Sequence, residues 1–175
     1  RGTSMRMSQT YRLPFKRKSE GRTDYKRRLR LLEGRKPRLV VRRSLNSIQA
    51  QIVVFEEKGD RTVASANSRS LKKLGWNFAC DSIPAAYLTG LAIGKQAVSS
   101  NIKEAILDSG LYASTKGNRI YAVVKGAIDS GLKISVSPEI LPSEDRIAGK
   151  HIASNEKFKN LPATFAKIKQ TIMGG

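Results

Sequence analysis

Apolar and polar positions alternate in the second quarter of the chain in a pattern that predicts three strands. Residues 39–41 form a short apolar run, and a polar turn follows at residues 44–47. Apolar side chains then alternate with glutamines along residues 48–54, and a second turn at residues 58–60 precedes residues 62–66. Because short polar turns join neighbouring strands, this order predicts an antiparallel meander.

Residues 83–100 have the spacing of a long helix. Asp81 or Ser82 can cap its start, and Pro84 suits the first turn. The side that we expect to be buried carries Tyr87, Leu88, Leu91 and Val98. Beside it runs a stripe of small residues, which indicates close packing of the helix against the sheet: Ala86, Gly90, Gly94 and Ala97.

Strand and helix alternate in the rest of the body. Residues 105–107 predict a short buried strand, which the preceding helix would place parallel to one of the first strands. Asn118 is expected to cap a second helix that runs through residue 130, and residues 134–136 can add an edge strand. The predicted fold class is α/β: a mixed sheet with an antiparallel three-strand meander followed by helix, strand and helix.

Charge is distributed unevenly along the 175 residues. The chain has 33 Lys+Arg against 14 Asp+Glu, a net charge of +19, and residues 1–44 hold 16 of the basic and 3 of the acidic side chains. Clustered cations release counterions when they meet a polyanion, so this excess indicates a nucleic-acid partner. We predict a basic RNA-binding extension at 1–36, a globular α/β body at 37–137 and a C-terminal tail at 138–175 that ends in a weak helix.

A short helix is predicted inside the extension. Thr23 or Asp24 can cap it, and Leu29 and Leu32 give residues 25–32 one narrow apolar edge. The other sides of this helix are cationic. Such a helix suits a position between the protein body and an RNA backbone.

Basic and aromatic side chains are interleaved in the extension. Guanidinium groups bind phosphates bidentately, and aromatic rings stack on unpaired bases, although a solvated basic tail that packs its aromatics on the body is the alternative. The loop at 114–119 is a second candidate, since a helix start favours an anion; an ordinary capped loop is the alternative there. The predicted RNA-binding residues are Tyr11, Arg12, Phe15, Lys16, Arg17, Lys18, Arg22, Tyr25, Lys26, Arg27, Arg28, Arg30, Arg35, Lys36, Arg42, Arg43, Arg69, Lys116, Asn118 and Arg119.

Side chains that could support catalysis are sparse. Cys80 is the single cysteine, which cannot form an intramolecular disulfide, and we expect it to be a small buried residue. His151 is the single histidine and has no cysteine or carboxylate pair near it. The interval between Gly126 and Gly131 is that of a phosphate loop, but Leu132 and Lys133 follow where such a loop needs Lys and Ser or Thr. We therefore expect no catalytic residue, metal, cofactor or small-molecule substrate.

The longest apolar run, residues 83–94, is about half as long as a membrane span. No segment typical of a secretory signal opens the sequence. We expect a cytoplasmic protein without a membrane partner.

A resemblance to a known family rests on five segments: TDYKRRLRLL at 23–32, KPRLVVRRSLNSIQAQIV at 36–53, residues 60–73, IPAAYLTGLAIGK at 83–95 and LDSGLYASTKGNRIYAVVKGAIDSGLKI at 107–134. In their order and spacing they resemble the archaeal and eukaryotic form of large-subunit ribosomal protein 18. The match runs from about residue 11 to residue 152. The absence of a long insertion between Lys95 and Ile106, with a short tail, is similar to the archaeal branch.

This resemblance implies a structural protein of the large ribosomal subunit and not an enzyme. It implies binding to 5S rRNA, which the protein would hold against the large-subunit rRNA in the central protuberance. The other implied partners are neighbouring ribosomal proteins of the central protuberance. The implied location is the cytoplasm, bound to the ribosome.

Two other functions fit parts of the pattern. The predicted order of elements also describes ribonuclease H-like nucleases, which need converging carboxylates to hold two metal ions. The first strand offers Arg42 and Arg43 instead, and Asp108 alone ends the fourth strand. A basic DNA-packaging protein is the second alternative; it would bind duplex DNA as well as folded RNA, whereas the interleaved aromatics favour RNA.

Overall fold

The computed structural model describes residues 13–174, and within them five strands form one sheet. The strands are β1 (Arg38–Arg43), β2 (Ile48–Val54), β3 (Arg61–Asn67), β4 (Glu104–Asp108) and β5 (Lys133–Ile134). The α-helices are α1 (Lys16–Ser19), α2 (Tyr25–Glu33), α3 (Ile83–Ser99), α4 (Arg119–Asp129), α5 (Glu144–Ile147), α6 (Lys150–Ala153) and α7 (Leu161–Gly174). Short 3-10 helices lie at Ser68–Leu74, Pro138–Ile140 and Glu156–Phe158.

The sheet has the order β3-β2-β1-β4-β5 and is mixed. β1 pairs antiparallel with β2, and β2 with β3, as the meander requires. β4 lies parallel to β1, with Arg38 beside Ile106, because α3 carries the chain back across the sheet. The α/β fold class predicted from the sequence is confirmed. β5 is shorter than expected and ends at Ile134.

One face of the sheet packs against α3 and α4. The strands place alternate side chains on that face, and Leu39, Val41, Ile48, Ala50 and Ile52 are fully buried there. The helices begin where the sequence indicated. The Ser82 hydroxyl caps α3 by accepting from the Ala85 N–H.

The small-residue stripe of α3 lies against α4, which corrects the prediction that it faces the sheet. A methyl group at Gly90 would overlap the backbone of Val123, and one at Gly126 would overlap the backbone of Tyr87. Two helices on the same face of a sheet can approach this closely only where side chains are absent. Gly126 is therefore a packing residue, whereas Gly131, at φ +104°, follows the end of α4.

Val98 departs from the predicted buried side of α3. Its relative exposure is 47%, because it lies in the last turn of the helix, beyond most of the packing surface. Tyr87, Leu88 and Leu91 are buried as predicted, and so is Cys80.

The C-terminal segment adds side chains to the same core. The weak helix that the sequence indicated is the 14-residue helix α7, in which Leu161, Phe165 and Ile168 are buried. The Phe165 ring lies 5.6 Å from the ring of Tyr87 in α3. Among residues 13–174, no helix is both long and apolar enough to cross a membrane.

Candidate nucleic-acid interface

The second face of the sheet is covered only in part, by α2. Alternation along β1 and β2 turns Arg38, Val40, Arg42, Gln51 and Val53 away from α3 and α4. Arg38 is nevertheless only 3% exposed. A buried arginine requires partners for its charge, and it has them here.

A chain of alternating charges crosses this face. Arg38 donates from Nη1 to Asp108 Oδ2 at 2.9 Å and from Nη2 to Asp60 Oδ2 at 2.7 Å. Arg42 donates to Asp108 Oδ1 at 3.0 Å and to the Asp108 carbonyl at 2.7 Å. Gly110, at φ +61°, leaves room for the Arg42 guanidinium, whose Cζ would lie 2.9 Å from a Cβ at that position.

Two arginines of α2 attach this helix to the body. Arg28 makes a bidentate pair with Asp60, with both N–O distances 2.9 Å. Arg27 donates to the Gly110 carbonyl at 2.7 Å and to the Ser109 hydroxyl at 2.8 Å. The extension is therefore held against the open face of the sheet by side chains that the sequence assigned to RNA.

The structure decides which residue caps α2 and corrects the predicted apolar edge of this helix. Asp24, and not Thr23, caps the helix by accepting from the Arg27 N–H at 3.0 Å. The predicted edge of Leu29 and Leu32 is wrong at Leu29, which is 61% exposed. Leu31 is half-buried and lines the space over the sheet, because Arg27 and Arg28 fix which side of the helix faces the body.

The arginines lower the pKa of both carboxylates in this network. The hydrogen bond from Arg28 holds the pKa of Asp60 below its ordinary value of 3.8, although partial burial opposes it. Burial raises the pKa of Asp108, but the Arg42 charge, the Gly110 N–H and Arg38 together outweigh it, so this pKa is also lowered. Both carboxylates are thus ionised at neutral pH and hold their partners in place.

Several predicted RNA-binding cations have a carboxylate partner in the protein. Besides Arg27, which binds a carbonyl and a hydroxyl, the engaged side chains are Arg22 with Glu20, Arg28 with Asp60, Lys36 with Glu104, Arg42 with Asp108, Lys116 with Glu139 and Arg119 with Asp81. In the part of the chain from 13 to 174, the predicted cations without a carboxylate within 4.0 Å are Lys16, Arg17, Lys18, Lys26, Arg27, Arg30, Arg35, Arg43 and Arg69. Tyr11 and Arg12 lie outside the described residues.

Aromatic rings accompany these cations at two places. Phe15 is 72% exposed, and its ring centroid lies 5.2 Å from that of Tyr25 at the start of α2. Arg43, at the end of β1, lies over the Tyr112 ring at 5.0 Å, and the Tyr112 hydroxyl donates to the Arg43 carbonyl at 2.6 Å. The basic and aromatic side chains that are interleaved in the extension thus include one pair of contacting rings, Phe15 and Tyr25.

The loop at 114–119 is organised mainly by contacts within the protein. Asn118 accepts from the N–H groups of Ile120 and Tyr121 and so caps α4. Arg119 binds Asp81 at 2.8 Å, at the turn before α3. Lys116 is 76% exposed and lies 3.8 Å from the exposed Glu139. The geometry at Asn118 and Arg119 favours the capped-loop alternative, while Lys116 remains accessible.

Comparison with known proteins identifies the family. A family model described as "Ribosomal large subunit proteins 60S L5, and 50S L18" matches residues 9–104 and 98–137. The chain belongs to this family. The large ribosomal subunit protein uL18 of Methanococcus maripaludis is 48% identical over 148 residues, which cover 85% of this chain and 77% of that protein. The resemblance that the sequence segments indicated, including its archaeal character, is confirmed.

Sequence reasoning missed the residues that build the open face. The sequence pattern does not single out Arg38 or Tyr112, and it places Asp60 only in a turn. One signal was present: Arg38, Val40 and Arg42 alternate, so the two arginines had to share a face of β1. Their carboxylate partners, Asp60 in the turn before β3 and Asp108 at the end of β4, are distant in the sequence, and no local pattern indicates them.

The carboxylates of this family member do not form a metal centre in the described part of the chain. Residues 13–174 contain no group of three or more His, Cys, Asp or Glu side chains that could hold a metal ion. Asp108, the carboxylate that a ribonuclease H-like site would use, is bound to Arg38 and Arg42. Its position at the end of β4 therefore serves the charge network.

Proposed function

We propose that the protein binds 5S rRNA and attaches it to the large-subunit rRNA in the central protuberance, beside neighbouring ribosomal proteins. In this proposal the protein is a structural constituent of the ribosome in the cytoplasm and catalyses no reaction. Membership in a family of large-subunit ribosomal proteins supports it, as does the net charge of +19.

The observation that carries the proposal is the division of the basic side chains of α2 between two sides. Arg27 and Arg28 bind the body, whereas Lys26 and Arg30 are exposed and have no carboxylate partner in residues 13–174. Because Lys26 and Arg30 are four positions apart, they project from the same side of the helix. That side is available to phosphate groups.

Prior attachment of α2 makes binding more favourable. A flexible basic tail loses conformational freedom when it binds RNA, but a helix that is already held by Arg27 and Arg28 loses less. Each phosphate that the free cations neutralise releases counterions. We therefore assign residues 1–36 to RNA binding, residues 37–137 to the body that holds them and residues 138–175 to a C-terminal segment that supports the core.

The test removes the free charges of the extension and keeps the attachment. In the triple variant Lys26→Gln, Arg30→Gln and Arg35→Gln, we expect weaker binding to 5S rRNA. The slope of log affinity against log salt should fall by about 0.7–0.9 for each phosphate that the variant no longer neutralises. Filter binding over a series of salt concentrations, with an unrelated RNA of equal length for comparison, measures both quantities.

A matched control removes the same charge elsewhere. Lys157→Gln, Lys159→Gln and Lys167→Gln change three exposed lysines of the C-terminal segment and should leave affinity and slope nearly unchanged. Equal effects in the two triple variants would mean that net charge alone drives binding. That result would contradict a specific interface on the extension.

A further inference from the structure

A groove of about 900 Å³ lies between α2 and the partly covered face of the sheet. β1 and β2 contribute Val40 and Gln51 to its floor, and Tyr25 of α2 and Tyr112 of the loop after β4 also line it. Phosphate contacts from the exposed side of α2 do not use this space. The groove is therefore a surface distinct from the exposed side of α2.

The charges that line the groove favour an anionic ligand. Six arginines and three aspartates line it. Each aspartate already has a partner, since Asp60 and Asp108 bind arginines and Asp24 caps α2. Arg17 lines the groove and has no carboxylate partner in the described part of the chain. Cationic donors thus remain when the internal pairs are satisfied.

The neutral side chains favour a nucleobase in addition to a phosphate. The amide of Gln51 is half-buried and makes no side-chain hydrogen bond within residues 13–174. An amide offers both donors and an acceptor, as the edge of a base requires. Val40 gives an apolar surface and Tyr25 an aromatic one, and unpaired bases bind on such surfaces.

The floor of the groove also contains an arginine whose hydrogen bonding is incomplete. Arg38 is 3% exposed, its two terminal nitrogens bind Asp60 and Asp108, and its Nε has no acceptor among the described residues. A buried N–H without a partner lowers stability, so this arrangement is not the one that stability alone would select. It is consistent with a surface built for a ligand.

We propose that this groove holds one unpaired nucleotide of the RNA, with its phosphate near Arg17 and its base on Val40 and Gln51. The inference rests on the proposed function, because it takes an RNA as the partner. It adds recognition of an individual base to the phosphate contacts of the extension.

The test fills the groove in the full-length protein. Gln51→Trp places a large side chain in the groove, whereas Gln49→Trp makes the same change on the same strand and face at a position that does not line it. We expect Gln51→Trp to weaken 5S rRNA binding at least about fivefold, the lower limit for removing one stacked base. Chemical probing of all four bases should show one or two nucleotides that wild type protects and Gln51→Trp leaves reactive.

A second variant distinguishes loss of nucleotide binding from misfolding. Gln51→Ala removes the amide without adding bulk and should expose the same nucleotides with a smaller decrease in affinity. Gln49→Trp and Gln49→Ala should match wild type in both measurements. If both Gln51 variants keep the affinity and the base protection of wild type, the groove does not hold a nucleotide. That result would leave the proposed function intact.

The two proposals fail in different ways. If wild type does not prefer 5S rRNA to an unrelated RNA, the proposed function is wrong. Nucleotide binding in the groove is then tested by chemical probing of large-subunit rRNA with the same variants. A change in base reactivity that is confined to the Gln51 variants would support nucleotide binding in the groove. No change in reactivity would contradict it.

Discussion

Arg38 joins three parts of the chain through one side chain. Its guanidinium binds Asp60, 22 positions away, and Asp108, 70 positions away, and Asp60 in turn binds Arg28 of α2. Buried ion pairs add little net stability, because desolvation opposes the attraction between the charges. Breaking such a pair is costly, however, so the network fixes positions more than it stabilises the fold. Here it fixes the extension relative to β4.

Acid should weaken this network in a defined direction. The pKa values of Asp60 and Asp108 are lower in the folded chain than the ordinary 3.8, so both groups add stability above that value. Their contribution is lost as the pH falls through the lowered folded values. We expect the free energy of unfolding to decline from about pH 5 downward. Urea unfolding at a series of pH values measures it.

The double variant Asp60→Asn and Asp108→Asn isolates the cause. It should be less stable than wild type at neutral pH and should lose less stability on acidification. Glu57→Gln, at an exposed carboxylate without an ion pair in residues 13–174, is the control and should follow wild type. An acid dependence that is equally steep in the double variant would show that other carboxylates cause it.

Helices α3 and α4 pack backbone to backbone. Gly90 and Gly126 allow this approach, since a Cβ at either position would overlap the facing helix. We expect Gly90→Ala to lower the free energy of unfolding by about 1–3 kcal/mol, a typical result of overpacking. The affinity for 5S rRNA per folded molecule should not change, because this side of α3 is buried. Urea unfolding and filter binding on one preparation measure both.

Gly174→Ala provides a comparison within a helix, because a Cβ there meets nothing within 4 Å. It should be close to neutral for stability. If Gly90→Ala unfolds like wild type but no longer binds RNA, the stripe contacts a partner, and its assignment to α4 is wrong.

The sequence predicted where the helices and strands lie better than it predicted which of them pack against each other. Alternation along β2, the Ser82 cap and the Asn118 cap are local signals, and each element they indicate is present. The small-residue stripe of α3 was also visible, but two surfaces could accept it, and its true neighbour lies more than thirty positions along the chain. The sequence indicated α7 only as a weak helix, because its apolar side gains a partner only when α3 is in place.

The sequence predicted which types of residue the candidate site contains, but it did not predict how their side chains are arranged. Sequence reasoning identified the basic extension, yet it could not separate Arg27 and Arg28, which bind the body, from Lys26 and Arg30, which have no carboxylate partner among residues 13–174. Adjacent positions on a helix point in different directions, and the distinction depends on Asp60 and on the loop after β4. Local charge density contains no information about these partners.

α2 is attached to the folded body without being part of its core, so we expect residues 1–36 to be needed for RNA binding and not for folding. α2 contributes no fully buried side chain, whereas the core extends from Leu39 to Ile168. A protein that lacks residues 1–36 should therefore unfold in one cooperative transition. Asp60 keeps Arg38 as a partner in that protein, so no buried charge is left alone.

The same deletion should severely weaken binding to 5S rRNA. Residues 1–36 contain 13 of the 33 Lys+Arg side chains. If they make about eight phosphate contacts, the slope of log affinity against log salt should fall by about 6 to 7. Filter binding of the deleted and full-length proteins over the same salt series measures this change, and circular dichroism verifies the fold. An unchanged affinity with an unchanged slope would place the RNA on the body instead, because cations that contact phosphate cannot be removed without reducing counterion release.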